Sequence, residues 1–134
     1  MKITDILKTK QDIQQFKDWV TNLRSGEFQQ TQRKLQDKRG YCCLGVGCVT
    51  TISKEKLLLN SAGYLDTALV VGQPYAPKWL RRISNFTRLY FDSCDYWLEH
   101  LNDDLFLSFN EIADILELVF YHDCMDKFNG KVLK

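Results

Sequence analysis

Nine consecutive residues, Gly40-Tyr41-Cys42-Cys43-Leu44-Gly45-Val46-Gly47-Cys48, carry three glycines and three cysteines between a basic stretch and an apolar one. Glycine admits a neighbouring backbone where any side chain would intrude, and cysteine is among the most often buried residue types. The segment therefore predicts a tight transition from a strand into a buried helix that reaches about Ile52. The β-branched run Val49, Thr50, Thr51 and Ile52 works against helix, so burial has to supply what propensity does not.

The flanking sequence predicts the partners of this segment. Ile13, Phe16, Val20 and Leu23 are spaced three, four and three apart, one face of a helix, and Ser25-Gly26 ends it. Phe28 to Leu35 and Arg39 to Cys43 read as two short strands around Gln36-Asp37-Lys38, a hairpin. Residues 53–76 contain turn signals at Asn60-Ser61-Ala62-Gly63 and Gly72-Gln73-Pro74, with Tyr64 to Val71 a strand between them. A helix should start near Pro77 with Trp79, Leu80 and Ile83 on one face, and a shorter one should cover Cys94 to Leu101. Ser108-Phe109-Asn110-Glu111 is a capping box, Leu107 and Ile112 stand where a hydrophobic staple requires them, and Ile112, Ile115, Leu116, Val119 and Phe120 form an apolar face.

At 134 residues the chain has the length of one domain spanning residues 1–134, and its 45% hydrophobic and 26% charged residues lie in the globular range. No window approaches the roughly 18 apolar residues of a membrane helix, and Met1 to Lys17 lacks the apolar core of a secretory signal. The expectation is a cytosolic protein with reduced thiols. The net charge of +1 hides a polarity: residues 1–90 hold 15 Lys/Arg against 7 Asp/Glu, and residues 91–134 hold 3 against 10. Either the two halves pack with complementary surfaces, or one of them faces a charged partner.

Four segments, taken in order, resemble a group of small uncharacterised proteins encoded by bacteriophages and prophages. They are Leu23-Arg24-Ser25-Gly26-Glu27-Phe28-Gln29-Gln30, Tyr41-Cys42-Cys43-Leu44-Gly45-Val46, Leu101-Asn102-Asp103 and Phe109-Asn110-Glu111-Ile112-Ala113. The resemblance implies a phage source and a shared fold, and it brings no catalytic residues with it. Residues 53–91 depart from the pattern.

Several residue groups could carry chemistry. Cys42 and Cys43 precede a helix start, where the helix dipole lowers a thiol pKa, and Cys43 with His100 and Asn102 could be drawn as a nucleophile, base and orienter. The opposing reading makes the cysteines small apolar fillers beside glycines. Cys43, Cys48, His122 and Cys124 offer four zinc-type ligands without the usual CxxC spacing, and the glycines lack the Gly-Lys-Ser/Thr of a phosphate loop. Asp92, Asp95, Glu99, Asp103 and Asp104 could serve acid–base work or magnesium, but their spacing also suits a solvated helix face. Asn102-Asp103 reads as a turn and helix cap.

The set best suited to a ligand is Lys78, Arg81, Arg82 and Arg88 interleaved with Trp79, Phe86, Tyr90 and Phe91, with Arg33, Lys34, Lys38 and Arg39 extending the basic field from the hairpin. Guanidinium groups fork onto phosphate and aromatic rings stack on bases. The opposing reading puts Trp79, Leu80 and Ile83 in the core and pairs the arginines with the acidic C-terminal half.

These readings predict a single α+β domain with helices around a short antiparallel hairpin. Family context predicts a phage-encoded accessory protein of the host cytoplasm. It would bind stoichiometrically to a host protein or an anionic nucleotide and so block a host process or antiviral defence. The alternative is a thiol- or metal-dependent hydrolase at Cys42/Cys43. No cofactor, resident metal or membrane partner is expected, near-neutral charge disfavours nucleic acid, and self-association is left open.

Overall fold

The computed structural model describes residues 3–33, 35–51, 59, 62, 77–83, 98 and 100–121. The protein is a small α+β domain in which helices surround one two-stranded hairpin.

After a short helical turn at Ile3–Asp5 comes α1, Lys10–Arg24. The Thr9 hydroxyl caps α1 by accepting the Asp12 amide at 3.0 Å, and Gly26 follows its end at φ 76°, a conformation that glycine adopts without steric cost. The buried face of α1 is Phe16, Trp19, Val20 and Leu23. It packs on α2, Cys43–Thr51, and on α4, Phe109–Leu116. Between these lies α3, residues 78–83, and a π-helical turn at His100–Asp104 precedes α4. A second π-helical stretch, Glu117–Tyr121, continues α4. Aromatic rings weld the core: Phe16 meets Phe120 edge-on with centroids 5.7 Å apart, and Trp19 lies 5.4 Å from Trp79.

The hairpin is shorter than the sequence predicts, and its turn is displaced. Strand β1 is Gln36–Asp37 and β2 is Gly40–Tyr41, with Gln36 opposite Tyr41 and Asp37 opposite Gly40. Asp37 is the cause. One carboxylate oxygen accepts the Arg39 amide at 2.7 Å and the Gly40 amide at 3.3 Å, which bends the chain at Lys38-Arg39. Burial pushes the Asp37 carboxyl up, but hydrogen bonds from the Arg39 amide, the Arg39 guanidinium and the Thr31 hydroxyl outweigh it and hold the group down to about 2. Residues 28–33 do not pair with β1. Instead Gln30 bridges Tyr41 in parallel, with Thr31 N–H donating to Tyr41 O at 2.7 Å and Tyr41 N–H to Gln29 O at 2.8 Å.

Several predicted elements that fall on described residues are present. The helix from Cys43 runs to Thr51, the last described residue before its predicted limit, α3 begins after Pro77, and Trp79, Leu80 and Ile83 are buried. The Ser108 box forms reciprocally, Glu111 N–H to Ser108 Oγ at 3.1 Å and Ser108 N–H to Glu111 Oε1 at 3.0 Å. Ile112, Ile115, Leu116, Val119 and Phe120 are all buried. The predicted strand Tyr64 to Val71 lies outside the described residues, as does most of the predicted helix Cys94 to Leu101, of which Leu98 is helical. The charge polarity is used in the fold where Arg24 of α1 pairs with Asp114 at 2.7 Å and Glu117 at 3.2 Å. Among the described residues no helix is long and apolar enough to cross a membrane.

The glycines of α2 set how close that helix can come to its neighbours. A Cβ on Gly45 would collide with the Leu35 carbonyl oxygen, which receives the Cys42 amide at 3.1 Å, and one on Gly47 would press on Leu80 at 3.0 Å. Gly45→Ala gains about 1 kcal/mol of helix propensity. It also forces the loop at Leu35 to move, and overpacking costs about 1–3 kcal/mol. The clash, being with backbone, should win. We expect a lowered denaturation midpoint, and a midpoint equal to or above the parent's would refute the close approach.

Candidate functional site

Asn102 is fully buried and stands where three elements meet. Its Oδ1 accepts from the Gln30 side-chain Nε2–H at 2.8 Å and from Cys43 N–H at 3.1 Å, and its Nδ2 donates to Thr31 O at 2.8 Å and to Asp103 Oδ1 at 2.8 Å. Every hydrogen-bonding position of the carboxamide is occupied, which is the condition for burying it without penalty. Cys43 N–H is the first free amide of α2, so Asn102 caps a helix 59 residues away in sequence. Asp103 likewise accepts the Arg33 amide, 70 residues away, at 2.8 Å. The expectation that Asn102-Asp103 would cap nearby backbone is corrected here: both side chains serve distant backbone.

The cysteine segment completes α2. Cys42 occupies the N-cap position, its Sγ accepting the Gly45 amide at 3.4 Å where a serine oxygen would ordinarily stand. Cys43 is held from both sides, its amide by Asn102 and its carbonyl by the Trp19 indole N–H at 2.9 Å, while its Sγ donates to Leu98 O at 3.6 Å. Proximity to a helix start does not make these thiols reactive. Burial pushes the Cys42 thiol up to about 12 although amide hydrogen bonds from Gly45 and Leu44 pull it down, and burial alone takes Cys48 to about 12. Asn102 is wholly engaged in the hub, so it has no position left to orient a base. His122 and Cys124 lie outside the described residues, and among the described residues no cluster of metal-ligating side chains forms.

The sequence-predicted ligand set divides. Trp79 is 1% exposed and packed on Trp19, so its ring belongs to the core and is not available to stack a base. Lys78 and Arg82 are exposed on α3, and Arg81 is half-buried beside them. Arg33 is exposed on the loop that is tied to Asp103, and Arg88 lies outside the described residues. Among the described residues the arginines of α3 form no ion pair with the acidic half, whereas Arg24 does.

Sequence reasoning missed the loop that the hub supports. Leu107 N–H donates to Leu101 O at 3.0 Å and Leu107 O accepts from the Gln30 side-chain Nε2–H at 2.8 Å, which closes a neck below residues 103–106. At its tip Leu105 is 48% exposed and Phe106 64% exposed, and Phe106 has φ 53°. Arg33, bonded to the same hub, has φ 71°. A left-handed conformation costs a residue with a side chain about 1–2 kcal/mol. The only signal in the sequence is the apolar run Leu105-Phe106-Leu107 directly after Asp103-Asp104, which resembles the start of a buried element.

A family model described as a domain of unknown function, DUF8296, matches residues 9–120. The chain belongs to this family. No curated protein and no solved structure matches it.

Two predictions test the hub and the thiols. Asn102→Ala orphans the Cys43 amide and the Thr31 carbonyl and should cost about 3 kcal/mol, at about 1–3 kcal/mol for each buried group. Asn102→Asp should cost more at neutral pH, since it sets a carboxylate against Asp103 and the Thr31 carbonyl. That deficit should shrink as pH falls toward about 4, because protonation removes the repulsion; equal stability of the two variants across this range would contradict the assignment. For the thiols, burial holds Cys42 and Cys48 in the protonated form at neutral pH, well away from the nucleophilic thiolate. Iodoacetamide should therefore label Cys42 and Cys48 of the native protein only as fast as the domain unfolds, read site by site by mass spectrometry, and rapid labelling of Cys42 would restore the nucleophile reading.

Proposed function

We propose that this protein is a phage- or prophage-encoded accessory protein of the host cytoplasm. It acts by stoichiometric binding, inserting the Leu105-Phe106 tip into an apolar pocket of a host protein and so blocking a host process or an antiviral defence. The phage source rests on the resemblance of its LRSG, YCCLGV, LND and FNEIA segments. The observation that carries the binding mode is Phe106, a large apolar side chain 64% exposed on a left-handed backbone. A scattered exposed leucine needs no explanation. Two adjacent apolar residues, held outward at a conformational cost by a fully bonded buried hub, resemble a pre-organised anchor. The buried thiols speak against the hydrolase alternative.

Stability and binding should respond oppositely at this position. Phe106→Gly relieves about 1–2 kcal/mol of left-handed strain and adds about 0.5–1 kcal/mol of unfolded-chain entropy, so the melting temperature should stay level or rise. Capture of a host protein from infected cells should nevertheless fall at least tenfold, and Leu105→Ser should weaken it further. Capture by Phe106→Gly equal to that by the parent would overturn the reading.

A further inference from the structure

Helix α3 has two faces of opposite character. Trp79, Leu80 and Ile83 are 0–1% exposed and lock one face into the core, with Leu80 against Gly47 and Trp79 against Trp19. Lys78, Arg81 and Arg82, three and four residues apart, share the other. Arg24 pairs with Asp114 and Glu117, and Arg39 with Asp37 at 3.0 Å, whereas Arg33 meets Asp103 through its backbone N–H. No carboxylate pairs with the three cations of α3 among the described residues.

Arg81 carries the second observation. Its Nε is buried and has no hydrogen-bond acceptor. A buried donor on a charged group left without a partner is costly, and natural structures that contain one usually satisfy it with a water or an ion. The Trp79 indole N–H is also without an acceptor, but it is neutral and belongs to the core-facing side, so it does not enter the site.

We propose that Lys78, Arg81 and Arg82 bind a phosphate group of a small soluble ligand. By turning out of its covered position, Arg81 offers its Nε–H and one terminal N–H as a side-on fork to two oxygens of one phosphate, and Lys78 and Arg82 flank it with unneutralised charge. Because the opposite face is anchored in the core, the helix backbone that carries the three cations is held in place. The site is separate from the Leu105-Phe106 tip and stands or falls independently of it.

The test uses the arginine Nε–H and tryptophan indole resonances of the full-length protein, titrated with inorganic phosphate against sodium chloride of matched ionic strength. The Arg81 resonance should move downfield and saturate with phosphate alone, while Arg24, held by its ion pairs, stays in place. Arg81→Lys should weaken phosphate binding at least tenfold with the Trp19 indole signal unchanged. Should that variant fail to fold, Arg82→Ala, at an exposed position, should lower phosphate affinity several-fold at an unaltered melting temperature. Equal response to chloride, equal movement of Arg24, or unaltered affinity in Arg82→Ala would overturn the proposal. A nucleoside monophosphate should bind at least as well as phosphate, and binding of a single-stranded oligonucleotide with no response to either small probe would also overturn it.

Discussion

The side-chain amide of Asn102 is the interaction on which the arrangement depends. It connects three otherwise separate pieces: the loop at Gln30 and Thr31, the first turn of α2 through Cys43, and the π-helical turn that carries Asp103. In the apolar interior each of those bonds is stronger than it would be in water, and each partner would be orphaned if the amide were lost. Hydrophobic burial holds α1, α2 and α4 together without selecting one register. The amide, with donors and acceptors at fixed angles, selects it. The same hub holds the neck of the loop that presents Leu105 and Phe106, so the architecture and the candidate binding surface share one cause.

The cysteine-rich segment illustrates a contest between two electrostatic effects. A thiol at a helix N-terminus is favoured as thiolate by the amides in front of it, an effect of about 0.3–2 kcal/mol. Removing the thiolate from water works in the opposite direction and is larger at full burial. Cys42 has both effects, and its position near 12 shows which one dominates. Its sulfur serves instead as the cap of α2 through the Gly45 amide. The adjoining glycines let Leu35 and Leu80 approach, so the segment acts as a packing device.

Much of the fold was legible in the sequence because the signals concerned were local. The spacing of Phe16, Val20 and Leu23, the Ser25-Gly26 stop, the Pro77 start and the Ser108–Glu111 box act within one or two helical turns, and each appears where it was read. The hairpin was legible in kind but not in register, since Asp37 can bond the amides of Arg39 and Gly40 only in one of several turns that the composition permits. The candidate ligand residues were half legible. Periodicity placed Lys78, Arg81 and Arg82 together, but it could not say that Trp79 would lie against Trp19 in the core.

The chain by itself determined where helices begin and end, which faces they bury, and that a glycine-rich, cysteine-rich helix would lie inside. Those properties follow from backbone sterics, capping and periodicity over a few residues. Tertiary structure alone decided the partner of Asn102, the raised pKa of Cys42, the pairing of Arg24 but not Arg81, and the outward turn of Phe106. Each of these depends on which groups, distant in sequence, are brought within hydrogen-bonding range and which are removed from water. That is a property of the packed whole, and no local window of sequence contains it.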